Sequence, residues 1–404
     1  MMAFSPGGGT DEADGASERC ADVEIPGCFR TLGEGSVERV RGGGTAGGHG
    51  THVPAVAPPL RGGGRGRTFR PSSWQVVAEA GAGGGSGADW QLYRERYQGF
   101  TAKHFHEHAV AKHGLGWSYT WTKTYLQNRG YLKRAPRRGA HRRKRLRKPL
   151  VGMMLHQDGS RHCWIPNFES ALDLIMTLDD ATGEIYSAFL VEEEGTFSTF
   201  RGLADVFAKH GLPLSFYTDR GSHYFHTPKA GEKVDTRALT QVGRALAQLG
   251  IEHIAAYSPQ ARGRCERIFR TLQDRLPKEL ALAGIVDLVE ANRFIAEVFL
   301  PDYNARFAIA AAEPGSAFVP VARAQWQDVL CVQEDRIVGN DNTVAFQGLR
   351  LQIPRSRIRA HFVKAKVRVH QYCDGTHAVF HGPRCLARYR ANGELIEESV
   401  KWAA

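Results

Sequence analysis

Apolar and polar positions alternate differently in four stretches of the chain. Residues 1–88 carry no sustained apolar period, either helical or strand-like. From Asp89 three short segments follow at helical spacing. DWQLYRERYQGF reads as a helix, and TAKHFHEHAVAKHG as a second, capped by Thr101 and stopped by Gly114. SYTWTKTYLQNRG reads as a third, opened by Ser118 and stopped by Gly130, with Trp121, Tyr125 and Leu126 recurring at helical spacing. From Gly152 period two and period 3.6 mix. GMMLHQDGS is a short strand ending near Asp158, and DLIMTLDDATGEIYSAFLV is two strands joined by a tight turn. TFSTFRGLADVFAKHG is an amphipathic helix, LSFYTDRGS a strand ending at Asp219, LTQVGRALAQLG a helix and IEHIAAYSP a strand. The pattern then predicts a helix from about Gly263 through CERIFRTLQDRL that Pro277 breaks, and a further one over DLVEANRFIAEVFLPDYNARFA. Beyond Trp326 only short β-like runs remain: DRIVG, NTVAFQGLRLQI, KAKVRVHQY and THAVFHG. In KAKVRVH, Val367 and Val369 alternate with Lys366, Arg368 and His370, which predicts one apolar and one basic face.

This order defines a multidomain chain: three helices over 89–132 that fit a helix-turn-helix, an α/β domain with a mixed sheet over 150–310, and a small β-barrel over 326–390. Composition sharpens it. Residues 1–88 hold 22 of the 45 glycines, so this stretch is expected to be disordered. Its Gly, Arg, Ala and Pro bias is also what GC-rich DNA yields when read in a shifted frame; a flexible tail is the other reading. Residues 133–149 form a basic linker in which Lys133 to Lys148 contributes ten cations and no acid, against a formal net charge of +11 for the whole chain. The high isoelectric point therefore reports one block, whose natural counter-charge is a phosphate backbone.

No apolar run is long enough to span a bilayer and the first residues lack the pattern of a secretory signal, so a cytoplasmic, nucleoid-associated location with no membrane partner is expected. The seven cysteines are scattered, with no C-x-x-C pair and no histidines at zinc spacing.

Asp158 in QDGS and Asp219 in TDRGS each sit at a predicted strand end beside glycine, where open α/β sheets bind ligands. Glu266 lies in the first turns of the helix after SPQARGRC. Three carboxylates from separate elements suit Mg²⁺ or Mn²⁺, and two ions per active site would serve in-line displacement at phosphorus. Asp179 and Asp180 are rivals for the first position, but they fall in a hairpin turn, where Asp is favoured for its backbone hydrogen bonds. Around these acids Arg262, Arg264 and Arg270 are candidate DNA contacts, as are Arg137, Arg138, Arg142, Arg143, Lys144 and Arg145 in the linker, Tyr119, Thr122, Lys123 and Gln127 on the third helix, and Lys366 and Arg368 in the last domain. His223, Tyr257, Ser258 and Gln260 are further candidates near the acids, and Cys265 reads as a packing residue.

In order, LHQDGS, TLDDATGEIYSAFL, YTDRGSHYF and LGIEHIAAYSPQARGRCERIFRTLQ resemble the catalytic core shared by retroviral integrases and bacterial insertion-sequence transposases, a ribonuclease H-like fold. The residues carrying the resemblance are Asp158; Asp219, Gly221 and Tyr224; and Gly250, Ile251, Pro259, Gly263 and Glu266. The separation of 47 residues between Asp219 and Glu266 exceeds the roughly 35 of many relatives, and HTPKAGEKVDTRALTQ accounts for it as a surface insertion. With the preceding helices and linker the chain looks like the ISNCY group of transposases, and its last domain resembles the small barrel after the core of bacteriophage Mu transposase. The resemblance implies a metal-dependent polynucleotidyl transferase that cleaves and joins double-stranded DNA, at terminal inverted repeats and target, as a homo-oligomer. A DNA-binding remnant or regulator without activity, and a ribonuclease H-like nuclease, are the alternative readings.

Overall fold

The computed structural model describes residues 86–134, 146–226, 234–235, 237–257, 259–355 and 359–396. The glycine-rich stretch to residue 85, with the disorder expected of it, and linker residues 135–145 lie outside the described residues. Two compact units divide at Lys133 and Arg134.

In the first unit α1 (Ser86–Arg96), α2 (Ala102–His113) and α3 (Tyr119–Asn128) follow one another through short turns. The local signals act as expected. The Thr101 hydroxyl accepts from the His104 N–H at 3.4 Å, the Ser118 hydroxyl from the Trp121 N–H at 3.3 Å, and Gly114 closes α2 in the left-handed region at φ 67°. Phe105 and Leu126 are buried, and the Tyr93 ring meets Phe105 edge-on at 5.0 Å. Trp121 and Tyr125 are not core residues: with Trp117 they stack in a half-buried ladder, centroids 4.2 and 4.9 Å apart.

The second unit begins with a five-stranded sheet in the order β3-β2-β1-β4-β5. Strands β1 (Leu155–His162), β2 (Leu172–Asp179) and β3 (Ile185–Val191) are antiparallel neighbours, while β4 (Ser215–Thr218) and β5 (Glu252–Ala255) run parallel to β1. This is the mixed α/β sheet that the pattern predicts. Strand alternation sorts its side chains onto two faces. Leu155 and Phe216 pack with α4 (Thr196–Lys209) and α5 (Gln241–Gln248) through Phe200, Leu203, Val242 and Leu246. Leu172, Leu174, Met176 and Leu178 pack the other face against α6 (Pro259–Ala283) through Cys265, Phe269, Leu272 and Leu276. Helices α7 (Leu288–Phe294) and α8 (Leu300–Phe307), joined by a π-helical turn at Ile295–Phe299, complete that layer.

Pro277 does not break α6, which runs through it to Ala283. An interior proline costs roughly 3 kcal/mol. Leu276 and Leu280, 1% and 0% exposed on either side of it, anchor the helix in the core and offset that cost.

Among the described residues of the last domain an open sheet and a separate hairpin are seen, and no closed barrel is shown. Strands β6 (Val332–Ile337), β9 (Lys366–Gln371), β10 (His377–His381), β11 (Arg384–Tyr389) and β12 (Leu395–Ile396) form the order β12-β11-β10-β9-β6. Strands β7 (Thr343–Phe346) and β8 (Leu349–Gln352) make a separate hairpin whose Val344, Phe346 and Leu351 join Val367 and Val369 in one core. With the hairpin covering the apolar face, the sheet is sealed without closing on itself. His370 also departs from the basic face: it is buried, stacked on Phe380 at 4.2 Å. The sheet is tied to the first sheet's helical layer by α5, where Arg244 donates to the carbonyls of Val329 and Cys331 at 3.2 and 2.5 Å and Gln241 exchanges hydrogen bonds with Gln333. The short helix α9 (Arg323–Trp326) brings Trp326 into the α4–α5 core.

Candidate active site

In the parallel ladder Leu155 pairs with Phe216 and His156 with Tyr217; Asp158 follows two residues after His156 within β1, and Asp219 two residues after Tyr217, just past the end of β4 at Thr218. Asp158 is 7% exposed. It shares a face with His156 and Ser160, the face that α6 covers. The Asp219 carboxylate is fixed by its own turn, accepting from the Gly221 N–H at 2.8 Å.

Glu266 lies on α6, which two contacts hold to the sheet. Arg264 of α6 pairs with the Asp180 carboxylate next to His156, and Gln273 donates to the Ser160 hydroxyl at 3.0 Å. Nine helical residues at 1.5 Å and four strand residues at about 3.3 Å both span about 13 Å, so α6 runs in step with β1 between the tethers. Glu266 and Asp158 both fall inside that interval. Glu266 lies about 20° round the helix from Gln273 and is exposed. The oxygens of the three carboxylates do not all lie within 4.8 Å of one another.

Behind Asp158 runs a buried polar chain. Gln157 donates to Thr177 Oγ1 at 2.9 Å and accepts from the Tyr224 hydroxyl at 2.9 Å; that hydroxyl also lies 3.3 Å from Glu194 Oε1. Tyr224 is 1% exposed, and its pKa is pushed well above the usual phenol range by burial first, then by the negative charges of Glu194, Asp219 and Asp158. Glu194 also approaches His223 Nε2 at 3.6 Å and fills the space where a Cβ on Gly159 would sit. The sequence pattern does not single out Glu194; Gly159, whose missing Cβ leaves room for that carboxylate, is a positional sign of it. His253, stacked on Phe225 at 4.0 Å beneath the same loop, has its pKa lowered to about 4 by burial and then by His223.

The rivals Asp179 and Asp180 are structural. Asp179 is fully buried and accepts from the N–H groups of Gly152 and Thr182, each at 2.9 Å, and from the Thr182 hydroxyl at 3.0 Å. Asp180, equally buried, accepts from Lys148 N–H at 2.8 Å and bonds His156 Nε2 at 2.7 Å. Burial raises its pKa, but the hydrogen bonds from His156 and Lys148, with the His156 and Arg264 charges, more than reverse this and hold it far below the carboxylate range.

Several expected DNA contacts are placed otherwise. Arg264 turns inward to Asp180, with 15% side-chain exposure, and does not present its charge outward. Thr122 is 3% exposed, its hydroxyl donating to the Ser118 carbonyl at 3.1 Å and lying 3.2 Å from His106 Nδ1, because the helix turns positions 122 and 126 to the unit's interior. Tyr119 and Lys123 are exposed and Gln127 is half-buried. Lys366 and Arg368 are exposed on one face as expected, but both face Asp335, at 2.9 and 3.5 Å. Arg270 is exposed. Arg137, Arg138, Arg142, Arg143, Lys144, Arg145 and Ser258 lie outside the described residues, as do the side chains of Arg262 and Gln260. Tyr257 is 55% exposed, with Arg220 5.4 Å from its ring centre. Cys265 is a buried packing residue.

The mixed sheet, with Asp158 within β1, Asp219 just after the neighbouring parallel strand β4 and Glu266 on α6, accompanies a similarity in sequence to bacterial transposases. One relative is a Sinorhizobium fredii protein named as a transposase, y4bF, 36% identical over 287 residues, covering 70% of this chain and 62% of that protein. Another is the transposase for insertion sequence IS1202 of Streptococcus pneumoniae, 34% identical over 163 residues, covering 40% of this chain and 34% of that protein. The chain thus spans less than two thirds of the length of the curated relatives it matches. No family model matches. Among solved structures, the HTLV-2 integrase catalytic core domain in complex with magnesium aligns at 17% identity over 36% of this chain and 82% of that chain, TM-score 0.27. A simian T-cell lymphotropic virus intasome in complex with the PP2A regulatory subunit B56 gamma aligns at 17% identity over 74% of this chain and 99% of that chain, TM-score 0.32. Among the described residues no helix is long and apolar enough to cross a membrane.

Proposed function

We propose that the chain is a transposase that cuts and rejoins DNA at the ends of a bacterial insertion sequence, with Asp158, Asp219 and Glu266 as its catalytic carboxylates. The observation supporting this reading is the parallel pairing of β1, which holds Asp158, with β4, which ends just before Asp219, together with Glu266 on the helix that bonds Ser160 of β1 through Gln273. An all-oxygen donor set of this kind fits Mg²⁺ or Mn²⁺, which keep water and phosphate in their remaining positions. When bound, such ions supply charge stabilisation at phosphorus and acidify the attacking water or hydroxyl. The chain's own residues supply the alignment: the Gly221 N–H orients Asp219, the Gln157–Tyr224 hydrogen bond holds the Asp219 loop to β1, and the two tethers of α6 set Glu266 along Asp158. Water attacks an end phosphodiester in line, breaking its P–O3′ bond and freeing a 3′-hydroxyl; that hydroxyl then attacks a target phosphodiester, forming a new P–O bond as the target's own 3′-oxygen leaves and takes up a proton, with no bond to the protein.

The three-helix unit and basic linker are the proposed readers of the terminal inverted repeats, through Tyr119, Lys123 and the linker cations, and the last sheet adds Lys366 and Arg368. Joining two ends in one event implies a homo-oligomer on DNA. A strand-transfer assay with the element's own ends in Mg²⁺ tests the reading. The native chain is expected to join ends to target and Asp158→Asn is not; equal activity would overturn the assignment.

A further inference from the structure

Asp180 collects more of the surrounding elements than any hairpin aspartate needs. Its carboxylate receives the Lys148 N–H at 2.8 Å, His156 Nε2 at 2.7 Å and the Arg264 guanidinium, all at a site with no solvent exposure. Its carbonyl receives Arg264 at 3.1 Å and Arg147 at 3.2 Å, and Arg147 also reaches the Ala181 carbonyl at 3.2 Å. Its own N–H returns to the Met154 carbonyl at 3.0 Å, beside the start of β1. Three elements therefore meet on one residue: the last residues of the basic linker, the strand that carries Asp158, and the first turns of the helix that carries Glu266. Arg264 precedes Glu266 by two residues, about 3 Å of helix, so the position of this end of the helix is set by where Asp180 holds the guanidinium.

We infer that Asp180 is a positioning residue that couples the basic linker to Glu266, so that DNA held by the linker fixes the end of α6 in its working place. The inference rests on the catalytic reading of Glu266 given above. A buried ion pair contributes little to stability against an apolar replacement, but it specifies one arrangement. Here that arrangement is shared between the DNA-binding segment and the catalytic helix. Asp180→Asn keeps the volume and removes the carboxylate charge that Arg264 meets there.

The test uses the full chain and a duplex ending in the element's terminal sequence. Asp180→Asn and Arg264→Gln are each expected to slow single-turnover cleavage about a hundredfold, the scale of a misplacement of about 1 Å. Duplex affinity should stay within about threefold, since it is set by phosphate contacts elsewhere. The double variant should be no slower than either single one, and Arg264→Lys should recover part of the rate. Amide exchange over residues 263–270 should be slowed by duplex in the native chain and not in Asp180→Asn. A folded Asp180→Asn that cleaves at the native rate, additive single effects, or rate losses matched by equal losses of affinity would overturn the coupling. If Asp180→Asn does not fold, Arg264→Gln and Arg264→Lys carry the same rate and exchange measurements. Asp158→Asn, run alongside, separates the two ideas: cleavage by that variant sinks the catalytic reading, while the duplex effect on exchange judges the coupling.

Discussion

The first sheet of the second unit and the C-terminal sheet each have five strands, yet they dispose of their charged groups in opposite ways. In the first sheet Gln157, Asp158, Thr177, Asp179 and Asp180 are buried toward one end, and the bonds of Gln157, Thr177, Asp179 and Asp180 tie strands to helices and loops. In the C-terminal sheet the strand charges stay outside and pair with neighbours: Lys366 and Arg368 meet Asp335 across the ladder while Val367 and Val369 fill the core. Burying a polar network is costly unless every member is bonded, and it then specifies one geometry. The first sheet is accordingly built for position, and the second for a solvated, adaptable face.

The comparison breaks most visibly in activity. Asp158→Asn, Asp219→Asn and Glu266→Gln should each lower DNA cleavage by at least about a thousandfold without lowering the melting temperature, whereas Lys366→Ala should leave the cleavage rate nearly unchanged. Packing gives the next effect. A Cβ on Gly202 would lie 2.5 Å from Gln157 Nε2 and 3.0 Å from Thr177 Oγ1, so Gly202→Ala should cost about 1–3 kcal/mol in a denaturant titration. Gly263→Ala, which meets nothing within 4 Å, should be neutral or stabilising.

Acid sharpens the contrast further, since each half of the second unit holds a histidine kept neutral. His253 and His370 have pKa values lowered from 6.5 to about 4, by burial foremost in both cases. A folded-state value below the unfolded one gives stability that is complete above pH 6.5 and lost as pH falls through 4. Thermal melts from pH 7 to pH 4 should therefore show a fall of about 2–4 °C for each kcal/mol lost, and His370→Phe should flatten part of it. Smallest of all, Lys366→Ala should change stability by under about 0.5 kcal/mol while reducing the salt dependence of DNA binding.

What could be read from the chain was what is local or carried by motifs. Thr101, Ser118 and Gly114 cap helices through neighbours three to five residues away, so their signals survive without knowledge of the fold. Asp158, Asp219 and Glu266 stood out because glycines and prolines at fixed offsets accompany them. Misreadings came where distant packing decides. Pro277 is a breaker by any local rule, but Leu276 and Leu280 hold the helix through it. Arg264 resembles its exposed neighbours Arg267 and Arg270 until Asp180, 84 residues away, is seen to claim it. The last domain offered strands without the partners that decide between a closed barrel and an open sheet backed by a hairpin.

Pro277 gives α6 a mechanical property. With no N–H to bond the carbonyl four residues earlier, the helix is softest near Gln273, while Leu276 and Leu280 clamp the far side. Glu266 lies eleven residues toward the N-terminal end, a lever arm of about 16 Å, so a bend of about 5° at the proline would sweep its carboxylate through about 1.4 Å. The Arg264–Asp180 pair, two residues from Glu266, is what holds that arm still.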